Sequence, residues 1–369
     1  MKVGFWSFYE EGCYNNLRFT NPDFGPQEGA FQKYNELYVI GKNKDVNFLS
    51  LDLIDDFSMV DCFLFSDFPR VKNKLVKKAF NSNKPMFLIL EECEAIYPAN
   101  WKLENHRFFE KLFTWNDDFV DNKKYFKFNV HYIASTKLNK DLSKKEKLCT
   151  FIASNKSSSH PLELYSKRRE AIRWFEKNHP EDFDLYGRDW DIYPFPSDRK
   201  WIGRLNSKKL RFLRKLLKQH YPSWKGEAGR KRPIIEKYKF YLAYENARDI
   251  PGYILEKIFD CFFSSAVPVY LGANNVTDHI PEECFIDKRN FDNYEDLYDY
   301  MKGMSDREYL RYLDYIEEFL NSEDAYPFSG ECFANTVIGE IENTLLGNRT
   351  EDSSKRTERE DRMCLEVQL

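Results

Sequence analysis

The chain has 369 residues, and its length and composition exclude several classes of protein. Hydrophobic residues make up 42% of it and aromatic residues 17%. That is enough for large buried cores and excludes disordered, collagen-like and coiled-coil proteins. The length favours two domains of about 100–200 residues each. A formal net charge of −4 argues against a bulk nucleic-acid binder.

The cysteines and the N-terminus predict a cellular compartment. Successive cysteines are at least 23 residues apart, so no CxxC pair exists, and the eight thiols are expected to be reduced. Glu10 and Glu11 lie where a signal peptide needs an apolar core, and no window approaches the ~20 apolar residues of a membrane span. We expect a cytoplasmic protein, with any membrane contact peripheral and on the inner face.

The first part of the chain alternates predicted strands and helices. Between two of the strands, Val71, Leu75 and Phe80 mark one helical face and lysines the other. Apolar runs of this kind are typical of buried parallel strands in an open α/β sheet. The predicted strands are 2–7, 46–51, 61–68, 85–92 and 111–115.

A second α/β series follows a predicted junction near 140–147. Its first strand, 148–154, leads into a predicted helix at 161–178, and from Asp292 the pattern is helical, ending with a helix near 330–345. Further strands are predicted at 184–187, 240–246, 267–272 and 285–288. We therefore predict an α/β fold with domains at 1–145 and 146–347, and a charged, flexible tail at 348–369.

Absent motifs narrow the chemistry. No G-x-G or G-x-x-x-x-G-K-[ST] occurs, which argues against a dinucleotide-dependent dehydrogenase and a P-loop ATPase. G-x-S-x-G and H-E-x-x-H are also absent. Asp182-x-Asp184 and Asp189-x-Asp191 match D-x-D; loop capping is the favoured interpretation and a divalent cation the alternative.

One stretch, 240–260, suggests a nucleotide site. A strand ends in Glu245 and Asn246, and Asp249 and Pro251 then predict a helix start. Opposite the apolar stripe of this helix, a second face holds Tyr253, Glu256, Lys257 and Asp260. A carboxylate for ribose hydroxyls, with a cation and helix N–H groups for phosphate, suits a nucleotide. The alternative is a solvated helix face.

A serine-rich loop after strand 148–154 is a second candidate. Asn155, Lys156 and three following serines offer N–H and O–H donors to an anion. Arg168 and Arg169, about two helical turns further on, lie within reach of the same anion. The alternative is a capping loop followed by a basic surface helix.

Three carboxylates lie at the end of strand 85–92, at the edge that would face an interdomain cleft. Glu91, Glu92 and Glu94 each have the chemistry of a general base. The alternative is a set of ordinary loop acids.

The stretch YKFYLAYENARDIPGYILEKIFDCFFSSAVPVYLG, residues 238–272, strongly resembles the signature of the α-1,3-fucosyltransferases. Other blocks, among them DLYGRDW, YPSWKGE and AYPFSGECFANTV, are similar to the bacterial branch of that family. The resemblance covers about 85–340 well and the first 80 residues loosely. It implies the GT-B architecture, in which two Rossmann-like domains face a cleft, the N-terminal one for acceptor and the C-terminal one for donor.

The resemblance also implies a reaction. It implies inverting transfer of L-fucose from GDP-β-L-fucose to an N-acetylglucosamine-containing glycan of the N-acetyllactosamine type. The implied linkage is α-1,3, with α-1,4 as the alternative. No cofactor is implied as required, and a divalent cation would be a stimulator at most. Two other functions stay open: a catalytically silent nucleotide-sugar or glycan-binding protein, and a sister enzyme that uses another GDP-sugar.

Site residues follow from the family motifs. The proposed base six residues before Pro98 is Glu92, with Glu91 and Glu94 as alternatives. Glu256 would hold the ribose and Lys257 the pyrophosphate. The full set implied to bind the donor is Arg168, Asn246, Tyr253, Glu256 and Lys257, together with the loop residues Asn155 and Lys156.

A basic block at 199–239 interrupts this pattern. It holds 15 Lys or Arg against Glu227 and Glu236, a local charge of +13 that leaves −17 on the rest of the chain. We expect Leu210, Leu213 and Leu217 to form an apolar helical side. That side either packs on the domain or, with the cations, contacts anionic membrane. No nucleic-acid recognition module accompanies the charge.

Overall fold

The computed structural model describes residues 1–22, 31–129, 137–195 and 200–351. Within those residues, the N-terminal part forms a six-stranded sheet in the order β2-β1-β3-β4-β5-β6, with every neighbouring pair parallel. Its strands are β1 (Lys2–Ser7), β2 (Asn47–Ser50), β3 (Cys62–Ser66), β4 (Met86–Leu90), β5 (Lys111–Thr114) and β6 (Tyr125–Lys127). Because the strands run the same way, their carboxyl ends share one edge.

The C-terminal part forms a second parallel sheet, five-stranded in the described chain, in the order β11-β10-β9-β7-β8. Its strands are β7 (Lys147–Ile152), β8 (Phe183–Tyr186), β9 (Tyr238–Tyr244), β10 (Val267–Leu271) and β11 (Ile286–Asp287). In β9, six of the seven residues are buried, as expected for a strand covered on both faces.

Helices cover both sheets, and several begin with the side-chain caps that their sequences encode. The longest of the C-terminal domain begins at a capping box in which Ser305 and Glu308 bond each other's backbone. The helices are α1 (Leu17–Thr20), α2 (Gln32–Asn43), α3 (Lys74–Phe80), α4 (Leu103–His106), α5 (Tyr165–Asn178), α6 (Lys200–Gly203), α7 (Arg211–Leu216), α8 (Arg232–Ile235), α9 (Glu256–Phe263), α10 (Tyr294–Gly303), α11 (Asp306–Leu320) and α12 (Gly330–Glu351).

The predicted α/β alternation is confirmed in both halves, with three local corrections. Strand β6 was not predicted, because its half-buried residues sit among Asp and Lys. Helix α5 begins at Tyr165 rather than at 161. The residues just before it are extended, because Glu163 forms an antiparallel β-bridge with Ala247. Helix α9 begins at Glu256, after a loop in which Gly252 has a φ of +74°.

The terminal helix corrects the predicted domain division. It was assigned to 146–347, but Phe333, Val337 and Ile338 of α12 lie in the hydrophobic core of the N-terminal sheet. Lys111 on β5 pairs with Glu340 at 2.5 Å, and Phe333 packs edge-on against Tyr34. The chain therefore crosses back and completes the first domain. The predicted tail lies outside the described residues from 352 onward.

The two domains meet along the loop before α9. Tyr253 is fully buried, and its ring centroid lies 4.4 Å from that of Trp115. Asp117 accepts hydrogen bonds from Asn275 (2.9 Å) and His279 (2.8 Å). A side chain at Gly252 would collide with the Trp115 carbonyl, so glycine permits this close approach. These contacts fix the carboxyl edges of the two sheets against each other.

In the described chain, no helix is both long and apolar enough to cross a membrane.

Candidate active site

Glu92 is the second residue after β4 and faces the cleft. Its Oε1 accepts a hydrogen bond from the Tyr9 hydroxyl at 2.8 Å. Burial raises the pKa of this carboxyl, while Tyr9 and the charge of Lys156 act in the opposite direction. A carboxylate whose pKa is raised towards neutrality is a better proton acceptor, as a general base must be.

Asp67, after β3, fixes the backbone that carries Glu92. Its Oδ1 accepts hydrogen bonds from the amides of Glu91 (2.8 Å) and Glu92 (3.0 Å). The residue is fully buried and adopts a φ of +57°, and burial beside the two glutamates raises its pKa to about 7. Asp67 was not predicted as a site residue from the sequence. The sequence feature that could have identified it is a polar residue at the carboxyl end of β3, the strand next to β4.

The two alternative bases have other surroundings. Glu91 bonds Lys33 (2.7 Å) and the Tyr34 hydroxyl (2.6 Å). Burial opposes its ionisation, but the charges of Lys33 and Arg18 hold its pKa below the usual range. Glu94 is exposed. The structure therefore favours Glu92, because Glu91 is held in an ion pair that weakens it as a base.

Across the cleft, Arg168 of α5 reaches the carboxyl end of β9. It is buried, and its Nη2 donates to the carbonyls of Tyr244 (2.8 Å) and Glu245 (2.7 Å) and to Asn246 Oδ1 (3.0 Å). The Asn246 amide in turn donates to the Tyr253 hydroxyl at 3.3 Å. Arg168 Nε has no hydrogen-bond partner within the described chain. The Arg168 guanidinium thus holds the end of β9 through Nη2, while its Nε–H group has no acceptor in the described chain.

The first turn of α9, which contains Glu256 and Lys257, is held by the buried carboxylate of Glu245. Glu245 is fully buried and accepts from Leu255 N (2.7 Å) and from Lys257 Nζ (2.8 Å). Glu256 lies 3.4 Å from Lys257, whose charge, with that of Lys231, holds the pKa of Glu256 low against the effect of burial. The carboxylate of Glu256 lies at the helix N-terminus, where anions are favoured.

Lys156 links the two edges electrostatically. It lies in the loop after β7, where desolvation by the surrounding residues lowers its pKa and the charge of Glu92 opposes that effect. Arg168, Lys257 and Arg188 also lower it, so these cations lie near one another. Arg188 was not singled out from the sequence; its signal was the DLYGRDW block after β8.

Asn155 makes hydrogen bonds that stabilise neighbouring loops. Its amide donates to the carbonyls of Asp189 and Ile192, both at 3.1 Å. The next loop also approaches closely: Gly187 has a φ of +124°, and a Cβ there would lie 1.9 Å from the Ala153 carbonyl. Asn155 therefore ties the loops after β7 and β8 together, and its buried Oδ1 lacks a partner in the described chain.

The prediction of a shared helix face for Tyr253, Glu256, Lys257 and Asp260 is wrong for Tyr253. Tyr253 precedes the helix and is buried at the domain interface. Asp260 shares a face with Glu256, since Lys231 lies 2.6 Å from Asp260 and 3.6 Å from Glu256. Helical spacing alone could not show that the positive φ of Asp249 and Gly252 delays the helix.

The D-x-D carboxylates are engaged by other side chains. Asp182 accepts from Tyr298 and Lys302, both at 2.7 Å. Asp191 lies 3.2 Å from an Arg211 nitrogen. No cluster of three or more His, Cys, Asp or Glu suited to a metal ion occurs in the described part of the chain.

Comparisons with known proteins place the chain in a family. The family model described as glycosyltransferase family 10 (fucosyltransferase), C-terminal part, matches residues 142–332, just over half of the chain. The chain belongs to that fucosyltransferase family. The match includes Arg168, Asn246 and Lys257, whereas Glu92 precedes it.

Individual relatives match over short stretches. The α-(1,3)-fucosyltransferase FucT of Helicobacter pylori is 31% identical over 121 residues, 32% of this chain and 25% of that protein. An α-(1,4)-fucosyltransferase of Arabidopsis thaliana is 41% identical over 69 residues, 19% of this chain and 17% of that one. The chain thus matches a quarter or less of the length of these relatives.

The fold likeness extends further than the sequence likeness. A solved α1,3-fucosyltransferase with GDP-fucose has a TM-score of 0.50 and 15% identity, with 94% of this chain and 90% of that one covered. At this identity the likeness concerns the fold, which is the GT-B arrangement of two α/β domains around a cleft.

Proposed function

We propose that the protein transfers L-fucose from GDP-β-L-fucose to a hydroxyl of an N-acetylglucosamine-containing glycan, with inversion and an α-1,3 linkage. The observation that carries this proposal is the placement of Glu92 opposite Lys156, Arg168, Arg188 and Lys257. Family membership supports fucose as the sugar, and the structural neighbour that holds GDP-fucose supports the donor.

In the proposed step, the acceptor hydroxyl attacks C1 of fucose on the side opposite the GDP. Glu92 takes the hydroxyl proton as the new C1–O bond forms, because a sugar hydroxyl is far too weak an acid to ionise alone. The bond from C1 to the β-phosphate oxygen breaks, and its electron pair leaves with GDP. Attack from the opposite face turns a β-linked donor into an α-linked product.

The leaving diphosphate gains charge as this bond breaks. We assign its stabilisation to Lys156, Arg188 and the start of α9, while Arg168 holds the strand end from which Asn246 projects. These positive side chains neutralise the leaving diphosphate, which is the role of a divalent cation in other glycosyltransferases. An added cation would therefore only strengthen the stabilisation of the leaving group.

The acceptor side belongs to the N-terminal domain. Tyr9 donates to the proposed base and is 45% exposed, so an acceptor sugar above Glu92 would touch it. We propose an N-acetyllactosamine-type acceptor. Relatives carry names with either α-1,3 or α-1,4 linkage, and α-1,4 is the alternative product.

The proposal predicts that Glu92→Gln lowers the turnover of fucose transfer by about 10²–10⁴-fold, the usual contribution of a general base. Binding of GDP, measured by titration calorimetry, should change little, because the cations lie on the other domain. The assay uses GDP-fucose with type 1 and type 2 oligosaccharides and identifies the linkage of the product.

Glu94→Gln is the matched control, since this neighbouring carboxylate is exposed. Near-normal turnover of Glu92→Gln would reject Glu92 as the base. A wild-type protein that binds GDP, yet neither transfers nor hydrolyses GDP-fucose, would instead be a nucleotide-binding member of the fold.

A further inference from the structure

The helices α6 and α7 expose apolar side chains that a soluble domain would bury. Of the two alternatives for the leucine side of the basic block, packing on the domain is contradicted at Leu213 and Leu217, each of which is 48% exposed, whereas Leu210 is partly buried. We call the exposed side chains of these helices and their flanks the apolar patch. Its members and exposed fractions are Trp201 (69%), Phe212 (75%), Leu213 (48%), Leu216 (68%) and Leu217 (48%).

Arg214 explains why this side of α7 faces outward. It is the buried residue of the helix, and its guanidinium donates to the carbonyls of Tyr193 (2.8 Å) and Asn206 (3.1 Å). Tyr193 N also donates to the Arg214 carbonyl at 2.9 Å. The polar residue thus anchors the helix, and the apolar residues around it are turned towards solvent.

Cations surround the patch. Residues 204–218 contain seven Lys or Arg and no Asp or Glu. Lys208, Lys209, Lys215 and Lys218 are exposed beside the apolar side chains. Apolar side chains ringed by Lys and Arg complement an anionic lipid surface, which takes the rings into its headgroup layer and attracts the charges. A nucleic acid would leave the aliphatic side chains in water.

The patch adjoins the donor edge of the cleft. Arg211 lies 3.5 Å from Asp189 and 3.2 Å from Asp191, in the loop that Asn155 ties to the end of β7. A surface bound at the patch would therefore lie beside the cleft.

We propose that the apolar patch and its cations dock the protein on the surface of an anionic lipid membrane. Docking does not depend on the proposed transfer reaction. If that reaction takes place, docking holds the cleft near glycans attached to lipid.

The test is sedimentation of the full chain with phosphatidylcholine vesicles, with or without phosphatidylglycerol. We expect binding only with the anionic lipid, weakened by salt because the charges are screened. Phe212→Ser with Leu216→Ser should lower the partition coefficient at least about tenfold, because two apolar side chains no longer enter the lipid. Met59→Ser with Leu103→Ser, two 64%-exposed residues of the N-terminal domain, is the matched control and should bind normally.

Tryptophan fluorescence gives an independent reading. Vesicles should shift the emission of the wild type to the blue, and Trp201→Phe should remove that shift. Circular dichroism shows whether each variant is folded.

Three results would overturn the proposal. They are no binding to anionic vesicles at low salt, equal binding by the folded Phe212→Ser/Leu216→Ser variant, and a dimer in light scattering that this variant abolishes. The last result would assign the patch to a second copy of the chain.

Discussion

The carboxyl edges of the two sheets have the same architecture and opposite electrostatics. At the N-terminal edge, Asp67 and Glu92 are carboxyls whose pKa values burial raises. At the C-terminal edge, Arg168 donates to backbone carbonyls and Lys257 donates to a buried glutamate. One edge is thus suited to accept a proton and the other to hold phosphate, which divides the proposed reaction between the domains.

The two edges also differ in how they hold their side chains. Asp67 accepts from backbone amides, so the acidic edge is fixed by a buried acceptor. Arg168 donates to backbone carbonyls, so the basic edge is fixed by a buried donor. In each case the buried group binds main chain, and the neighbouring side chain remains available to the cleft.

The largest effect is expected where the basic edge is broken at its buried ion pair. Lys257→Met leaves Glu245 without its cation in a fully buried position, which should destabilise the fold by about 3–5 kcal/mol and abolish detectable GDP binding. Denaturant unfolding and calorimetry measure the two effects.

The paired variant Glu245→Gln/Lys257→Met is the control for that experiment. It removes both charges, so it should recover most of the stability and still bind GDP poorly. Recovery of GDP binding in the double variant would show that Lys257 acts only on the fold.

A smaller effect is expected in the core that α12 completes. Ile338→Ala removes a fully buried side chain from the N-terminal core and should lower the free energy of unfolding by about 2–4 kcal/mol. Leu346→Ala, at a 60%-exposed position of the same helix, should change it little. Equal effects of the two variants would contradict the placement of α12 in that core.

The smallest effect concerns the acidic edge. Tyr9→Phe removes a hydrogen bond that lowers the pKa of Glu92, so this pKa should rise further. A base acts deprotonated and fails as the pH falls through its pKa. The acid limb of the transfer rate should therefore move to higher pH. Tyr326→Phe, at an exposed tyrosine, is the control, and an unshifted limb in Tyr9→Phe would separate Tyr9 from the base.

Local sequence was enough to predict much of the fold and part of the site. The apolar runs of β1 and β9 are buried on both sheet faces, so composition alone marked them as strands. The polar residues that end β4 and β9 were found because ligands bind at the carboxyl ends of parallel strands. Arg168, Asn246 and Lys257 came from a family signature contained in the C-terminal domain.

Contacts between distant residues decided the rest. The choice among Glu91, Glu92 and Glu94 depends on Lys33 and Tyr34. These two residues bond Glu91, although they lie more than 50 positions away from it in the sequence. The domain of α12 depends on which sheet its apolar face meets, and its sequence pattern is the same in either place.

The sequence by itself determined two α/β domains, a candidate nucleotide site at the end of a strand, and a basic block with a local charge of +13. Only the tertiary structure decided that Tyr253 is wedged against Trp115 and that Arg214 is buried while the leucines beside it are exposed. The physical reason is that periodicity fixes which residues share a face of an element. The partner of that face depends on hydrogen bonds and packing across the whole chain.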